Sequence, residues 1–414
     1  MMQQLPYYPF PVHSGPVRRE LTYDAIVYTE DGHYFAEDSN GHIFCQDSPT
    51  ACIQEAINAL PTMTYNPSSG VTVTAPVGKI VIRGGTYNIT QQINIPNGSI
   101  LNIVGDSAGA AVQWGGYNTT VISYNSGSSG NHILSATIGN YSYPYTRLWL
   151  ENLTLFFSGG INYVSALSID VYVAVLRGIQ VNCSSSGVSG IGLSGSGLED
   201  THELDNVQVR GCYYGVYAYQ EFGDFYNFEA MENVYGIYVD LPGMFKVGGI
   251  HSYHAFANTY DIYVAGQGAP IYIDQMMLEH NNAQTTPVVY TNGRKLVIGS
   301  LTFTPNNWNV VQYAFDNFSN VTLLSGMAVC HSPPTILLTR NSGTATFSGD
   351  GSTTQFTIAH GLATTPSKYY VTPCSANAGG SFYVTVDSSN LYVNYSTAPP
   401  SGTNNVVLCW YAEV

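Results

Sequence analysis

A chain of 414 residues that is 44% hydrophobic yet only 9% charged has room for two or three domains, and its 13% aromatic content is too high for a disordered polymer. A net charge of −15 with no basic patch excludes a phosphate backbone as the natural partner, and the lack of any run of about 18 apolar residues excludes a membrane-spanning helix. The surface must therefore be built from Tyr, Asn, Ser, Thr and Gln, polar without being ionic, and a chain with so few carboxylates has few ion pairs to lose in acid, as suits an acidic, hot, extracellular setting.

Residues 1–22 carry Leu5-Pro6-Tyr7-Tyr8-Pro9-Phe10-Pro11 and no signal-peptide pattern, and read as an extended arm that docks on a partner or a neighbouring subunit, or as a disordered end. Residues 23–78 open with a small hairpin unit, Ala25-Ile26-Val27-Tyr28 and Tyr34-Phe35-Ala36, turning at Glu30-Asp31-Gly32 and again at Asn40-Gly41. One helix follows, with Ser48 as cap, Pro49 in the first turn, an apolar stripe of Ile53, Ala56, Ile57 and Leu60, and Pro61 as stop. A Pro/Ser/Gly-rich loop then leads to strands at Gly78–Ile89 and Ile93–Gly105.

From Leu150 a phrase recurs eight times: apolar, any, small or Asn, apolar, any, apolar or small. It begins at Leu150, Leu176, Leu204, Phe225, Val247, Ile273, Ile298 and Leu324, at spacings of 21 to 28 residues. A second phrase keeps step as Gly215-Val216-Tyr217, Gly236-Ile237-Tyr238 and Asp261-Ile262-Tyr263. Apolar residues alternate within each phrase, which is strand periodicity, and a repeat this short without a helix is one coil of a parallel β-helix rather than a propeller blade. Eight coils about 4.8 Å apart make a rod section of roughly 38 Å. Asn or Gly in mid-phrase would sit where the chain bends with positive φ, and Leu153, Ile179, Val207, Phe228, Ile250, Met276 and Leu301 would form one interior column. The helix would plug the open end of that column. An ordinary β-sandwich is the competing reading.

The phrase stops before residues 341–414. There Gln355–Ile358, Lys368–Val371, Ser381–Val386, Leu391–Tyr395 and Val406–Tyr411 read as the strands of a small β-sandwich, with turns at Gly349-Asp350-Gly351 and Pro399-Pro400-Ser401-Gly402. Cys45 with Cys52 and Cys374 with Cys409 are candidate disulfides; Cys183 and Cys212 follow equivalent phrases in adjacent coils, and Cys330 has no evident partner. No metal-ligand spacing appears.

The helix CIQEAINAL, then IVIRGGTYNI, then INIPNGSILNIVG resemble the start of the pectin-lyase-like right-handed parallel β-helix superfamily over about residues 23–340. The run GDGSTTQFTIAHGLATTPSKYYVTP with NLYVNYSTAPPSGTNNVVLCWYAEV looks like the small terminal domains of viral tail fibres and spikes. The expected fold is all-β: residues 1–22 as arm, 23–78 as hairpin and capping helix, 79–340 as right-handed parallel β-helix and 341–414 as β-sandwich. The resemblance implies carbohydrate as substrate or ligand and does not choose between cutting and gripping it. The motifs of polygalacturonases (Asn-Thr-Asp, Asp-Asp, Gly-His-Gly, Arg-Ile-Lys) and the Arg-x-Pro-x-x-Arg of pectate lyases are missing.

Acidic residues gather between Glu199 and Asp240, and Asp205, Asp224 and Glu229 are the candidate catalytic carboxylates. The column Thr154, Gln180, Gln208, Glu229, His251 is expected to face outward, so that Gln208, Glu229 and His251 can hold a sugar or form an acid/base pair; a merely solvated face is the alternative. Tyr217 and Tyr238, within a crowd of tyrosines from Tyr213 to Tyr263, are the aromatic binding candidates. No cofactor is expected. The sequence reads as a viral attachment spike at a virion surface, from an archaeal host, recognising host glycans or glycoproteins. By resemblance it is a homotrimer, held to other virion proteins by its arm. A secreted or virion-borne glycoside hydrolase or lyase, and a structural surface protein, are the alternatives.

Overall fold

The computed structural model describes residues 22–414 apart from 69–70, 107–118, 126, 128, 137–145, 160–163, 185–186, 195–200, 220–222, 241–248, 266–269, 281–285, 306–314, 318–319, 325–326, 330–334, 338–339 and 363, together with the side chains of 67–68, 194, 201, 303–305, 327–329 and 335–337. The proline-rich arm up to residue 21, Glu199, Asp200, Glu221 and Cys330 lie outside the described residues. The chain forms two compact units, Met1–Gly268 and Ala269–Val414.

The first unit is a parallel β-helix of seven coils with three strands per coil. The first face runs through Val71–Ile82, Ile100–Gly105, Arg147–Glu151, Val173–Arg177, Thr201–Asp205, Gly223–Tyr226 and Gly249–Ile250, each parallel to the one before. The second runs through Gly85–Ile89, Thr120–Asn125, Thr154–Ser158, Gln180–Cys183, Gln208–Arg210, Phe228–Met231 and Tyr253–Phe256. The third runs through Ile93–Ile95, Leu134–Ala136, Ser165–Ile169, Ser189–Ser194, Tyr214–Tyr219, Tyr235–Asp240 and Tyr260–Val264. The parallel strands enclose an apolar interior: Leu150, Leu176, Leu204 and Phe225 on the first face, Leu155, Val181, Val209 and Ala230 on the second, Leu167, Ile191, Val216 and Ile237 on the third are all buried.

Corners between the first and second faces are turned by Asn152, Gly178, Asn206 and Asn227, with φ of 57°, 60°, 55° and 48°. These are the mid-phrase positions, and Gly and Asn are the residues that enter the left-handed region most readily. Leu153, Ile179, Val207 and Phe228 follow the corner and are buried at most 2% exposed, as expected. Ile250 does not continue their column. It pairs with Phe225, and Tyr253 pairs with Phe228, so the phrase in this coil starts at Ile250 rather than Val247. The pattern admits both starts because Val247-Gly248-Gly249-Ile250 and Ile250-His251-Ser252-Tyr253 each place apolar residues three apart. Ile250 is still interior, at 2% exposure, one column over.

The N-terminal hairpin forms as expected: Ala25–Glu30 pairs with His33–Asp38 across Asp31-Gly32, both at positive φ as a two-residue hairpin turn requires, and Ile43–Gln46 adds a third strand. The helix, α1, spans Ile53–Ala59 and starts later than the capping pattern suggests. Ser48 Oγ instead accepts from the backbone N–H groups of Thr50 and Cys52 at 3.3 and 2.8 Å, closing a separate turn; Ala51 and Cys52 at positive φ then break the chain before the helix. Ile53 lines a small apolar cavity together with Ile82, Ile103, Ile122, Leu150 and Leu155, so α1 covers the end of the interior column. The segment after it is a hairpin, Thr62–Ser68 against Val71–Ile82, and not the loop its Pro/Ser/Gly content suggests. Disulfides join Cys45 to Cys52 and Cys183 to Cys212.

In the second unit Ile271–His280 and Leu296–Pro305 run parallel for their whole length, bringing Met276 beside Leu301. Residues Arg340–Glu413 form two three-stranded antiparallel sheets. One orders Arg340–Gly349, Gly402–Glu413 and Lys368–Pro373; the other orders Gln355–Ala359, Asn390–Tyr395 and Phe382–Val386. Phe356, Ile358, Leu391 and Val393 share a core with Val371, Val406, Leu408 and Trp410. Cys374 and Cys409 are bonded.

Candidate functional site

The second face carries a polar ladder. Register stacks Thr154, Gln180, Gln208, Glu229 and His254, one per coil. Thr154 Oγ donates to Gln180 Oε1 at 3.2 Å, Gln180 Nε2 to Gln208 Oε1 at 2.7 Å and Gln208 Nε2 to Glu229 Oε2 at 2.6 Å; His254 Nδ1 lies 2.8 Å from Glu229 Oε1. This column is not the open row expected. Thr154, Gln180 and Gln208 are at most 4% exposed, each hydrogen-bonded to the next rung. The last rung is His254, and His251 belongs elsewhere. Burial alone would raise the Glu229 carboxyl, but hydrogen bonds from His254 and Gln208 outweigh it and hold the group below its ordinary value.

On the first face, Arg177 spans Glu203 at 3.0 Å and Asp205 at 3.1 Å. His251 stacks on Tyr226 with ring centroids 4.3 Å apart and its Nε2 lies 3.4 Å from Asp224. The three candidate carboxylates are thus divided: Asp205 faces Arg177, Asp224 faces His251, and Glu229 sits on the next face within the ladder.

Tyr217 and Tyr238 do come together. On the third face Tyr217, Tyr238 and Tyr263 are in register, with centroids 5.6 and 5.3 Å apart and rings within 10° of parallel. Tyr214, Tyr235 and Tyr260 form a second column three residues earlier, and Tyr235 meets Tyr260 at 5.0 Å. The result is a grid of six phenol rings whose core-facing neighbours Val216, Ile237 and Ile262 are buried. Tyr217 Oη donates to Asp240 at 2.8 Å. Desolvation, then the Asp240 carboxylate, push the Tyr217 phenol up; desolvation and the surrounding tyrosines push Tyr235 up to about 12. In the preceding coils the residues in register with Tyr217 are Gly192 and Ser168. Neither carries a ring, so the aromatic ladder begins at Tyr217, and the Ser165 side chain fills the space a Cβ at Gly192 would take.

Tyr214, Tyr235, Tyr260 and Tyr263 belong to the tyrosine crowd noted on sequence, where only Tyr217 and Tyr238 are singled out. The signal was present as Tyr214-x-x-Tyr217, Tyr235-x-x-Tyr238 and Tyr260-x-x-Tyr263. A second missed feature is a buried asparagine ladder where the chain leaves the second face. Asn258 Oδ1 accepts from Asn233 N at 2.9 Å, and Asn233 and Asn258 donate to the carbonyls of Val209 and Ala230 at 3.1 and 2.9 Å. Among the described residues no group of three or more His, Cys, Asp or Glu is arranged to hold a metal, and no helix is long and apolar enough to cross a membrane.

No family model matches the chain, and no curated protein matches it. Solved structures similar to it include viral proteins. The ORF18 protein of Geobacillus virus E2 is 14% identical over 85% of this chain and 73% of its own, with a TM-score of 0.33. The tailspike of Acinetobacter phage vB_ApiP_P1 is 12% identical over 81% of this chain and 80% of its own, at 0.31. The tailspike gp61 of Pseudomonas phage phi297 is 10% identical over 88% and 92%, at 0.27. The β-helix assignment rests on the strand register above and not on these likenesses.

Proposed function

We propose that the chain is a virion attachment spike that grips host-surface glycans along the tyrosine-lined third face of its middle coils. The observation that carries this reading is the in-register ladder Tyr217, Tyr238, Tyr263, whose first ring follows the ring-free position Gly192. Rings inside the ladder cover one another, so a sugar's C–H face has its best seat on the first ring, Tyr217. The flanking hydroxyls and Asp240 supply hydrogen bonds. Tyrosine gives large amphipathic area at small entropic cost, which suits this use.

Glycan cleavage is the weaker reading. Cleavage on this fold needs two carboxyl groups flanking one bond, whereas Asp205 is engaged by Arg177, Asp224 by His251, and Glu229 by His254 and Gln208 on the next face. Docking of the 1–22 arm on other virion proteins, a homotrimer and a thermoacidophilic archaeal host remain part of the proposal, supported by composition and the resemblance alone.

The test is retention of the purified chain on immobilised host-envelope glycans. Tyr217→Ala and Tyr238→Ala should weaken retention by about tenfold or more without lowering the melting temperature by more than a few degrees; unchanged retention in both sinks the reading. Reducing-end release that Glu229→Gln abolishes would favour the enzyme instead.

A further inference from the structure

The C-terminal sheet of Gln355–Ala359, Asn390–Tyr395 and Phe382–Val386 turns its apolar side chains, Phe356, Ile358, Leu391 and Val393, into the core. Its other side chains lie in a grid. Gln355, Asn394 and Tyr383 form one row and Thr357, Tyr392 and Thr385 the next. Tyr383 is 65% exposed and stands on an edge strand.

We propose that this outer face is a second binding site, for neutral glycans, independent of the tyrosine ladder. Three observations support it. First, the face is pre-ordered: Gln355 Nε2 donates to Asn394 Oδ1 at 2.8 Å, Asn394 Nδ2 to the Tyr392 carbonyl at 3.1 Å, and Tyr392 Oη to Asp387 at 2.6 Å. Side chains already held in place lose less freedom when a ligand arrives. Second, amides, hydroxyls and phenols both donate and accept, or pair with groups that do, and a pyranose presents the same mixture of hydroxyls beside a C–H face that an exposed phenol ring can cover. Third, the charge pattern selects. The grid holds no Lys, Arg or Glu, and Asp387 at its end repels a uronate, sialate or phosphate. A protein partner fits worse, because the centre of such an interface is an apolar cluster and this face has none.

The experiment is affinity electrophoresis of the full-length chain through native gels containing dextran, mannan or, as anionic control, polygalacturonate. The expected result is retardation by at least one neutral polymer and not by polygalacturonate. Tyr383→Ala, at a solvent-exposed position, should raise the apparent Kd about tenfold, and Gln355→Ala should weaken it in the same direction, both with unchanged melting temperature. In a Tyr238→Ala background, where the ladder is disabled, the retardation that persists should still respond to Tyr383→Ala, which separates the site from the ladder. The proposal is overturned if neither neutral polymer retards the chain, if polygalacturonate retards it equally, or if Tyr383→Ala and Gln355→Ala change nothing. It is also overturned if Tyr238→Ala alone removes the effect, or if Tyr383→Ala alters sedimentation without altering retardation, which would make the face a contact between copies.

Discussion

Glu229 and His254 face each other at 2.8 Å across adjacent coils, at the end of a buried row of a hydroxyl and two amides, Thr154, Gln180 and Gln208. Because Gln208 donates to the other carboxylate oxygen, Glu229 is a junction and not a spare acid. Glu229→Ala should destabilise the fold by about 2–3 kcal/mol by leaving buried partners unsatisfied, read as a lower denaturant midpoint. Glu229→Gln should be milder.

The same junction sets an acid limb. The folded-state carboxyl lies below its ordinary 4.5, so its contribution is complete above that value and is lost as pH falls through the folded-state value. Thermal melts from pH 7 to pH 2 should decline less steeply below pH 4.5 in Glu229→Gln than in the parent. Equal slopes would mean the ladder does not govern acid stability.

Corner residues make a third prediction. Replacing Asn152, Asn206 or Asn227 by Gly should be nearly neutral, since each sits at positive φ; replacement by Val should destabilise by about 1–2 kcal/mol each. Gly178→Ala is worse placed than its size suggests, because a Cβ there would lie 2.8 Å from Asn152 Oδ1. Urea midpoints at constant m distinguish the series.

The Cys183–Cys212 bond staples adjacent coils within the middle of the rod. Its loss in a Cys183→Ser, Cys212→Ser double variant should lower stability by about 2–4 kcal/mol. Reductant should lower the melting temperature of the parent more than that of the double variant, the other two disulfides being common to both.

For the tyrosine ladder, Tyr238→Phe should retain glycan binding within a few-fold, because stacking survives, while Tyr217→Phe should weaken it more by losing the hydroxyl that donates to Asp240. Tyr217→Ala should weaken binding by about tenfold or more. Isothermal titration with the retained glycan measures all three, and equal affinities for Tyr217→Phe and the parent would remove Asp240 from the site.

What could be read from residues alone was whatever recurs in every coil. An interior column must be apolar each time the chain passes and a corner must tolerate positive φ, so Leu153, Ile179 and Val207, with Asn152 and Asn206 before them, announce the β-helix without coordinates. Outward positions obey no such rule, since any soluble side chain serves. Only strand pairing decided that Glu229 meets His254 and that His251, three residues earlier, lies on Tyr226. Only the fold buried Gln208, and only the third face joined Tyr217 to Tyr263, 46 residues along the chain but two coils away. Periodicity fixes how a chain winds; the register between windings, set by which side chains pack best across a strand spacing, decides which polar groups share a surface.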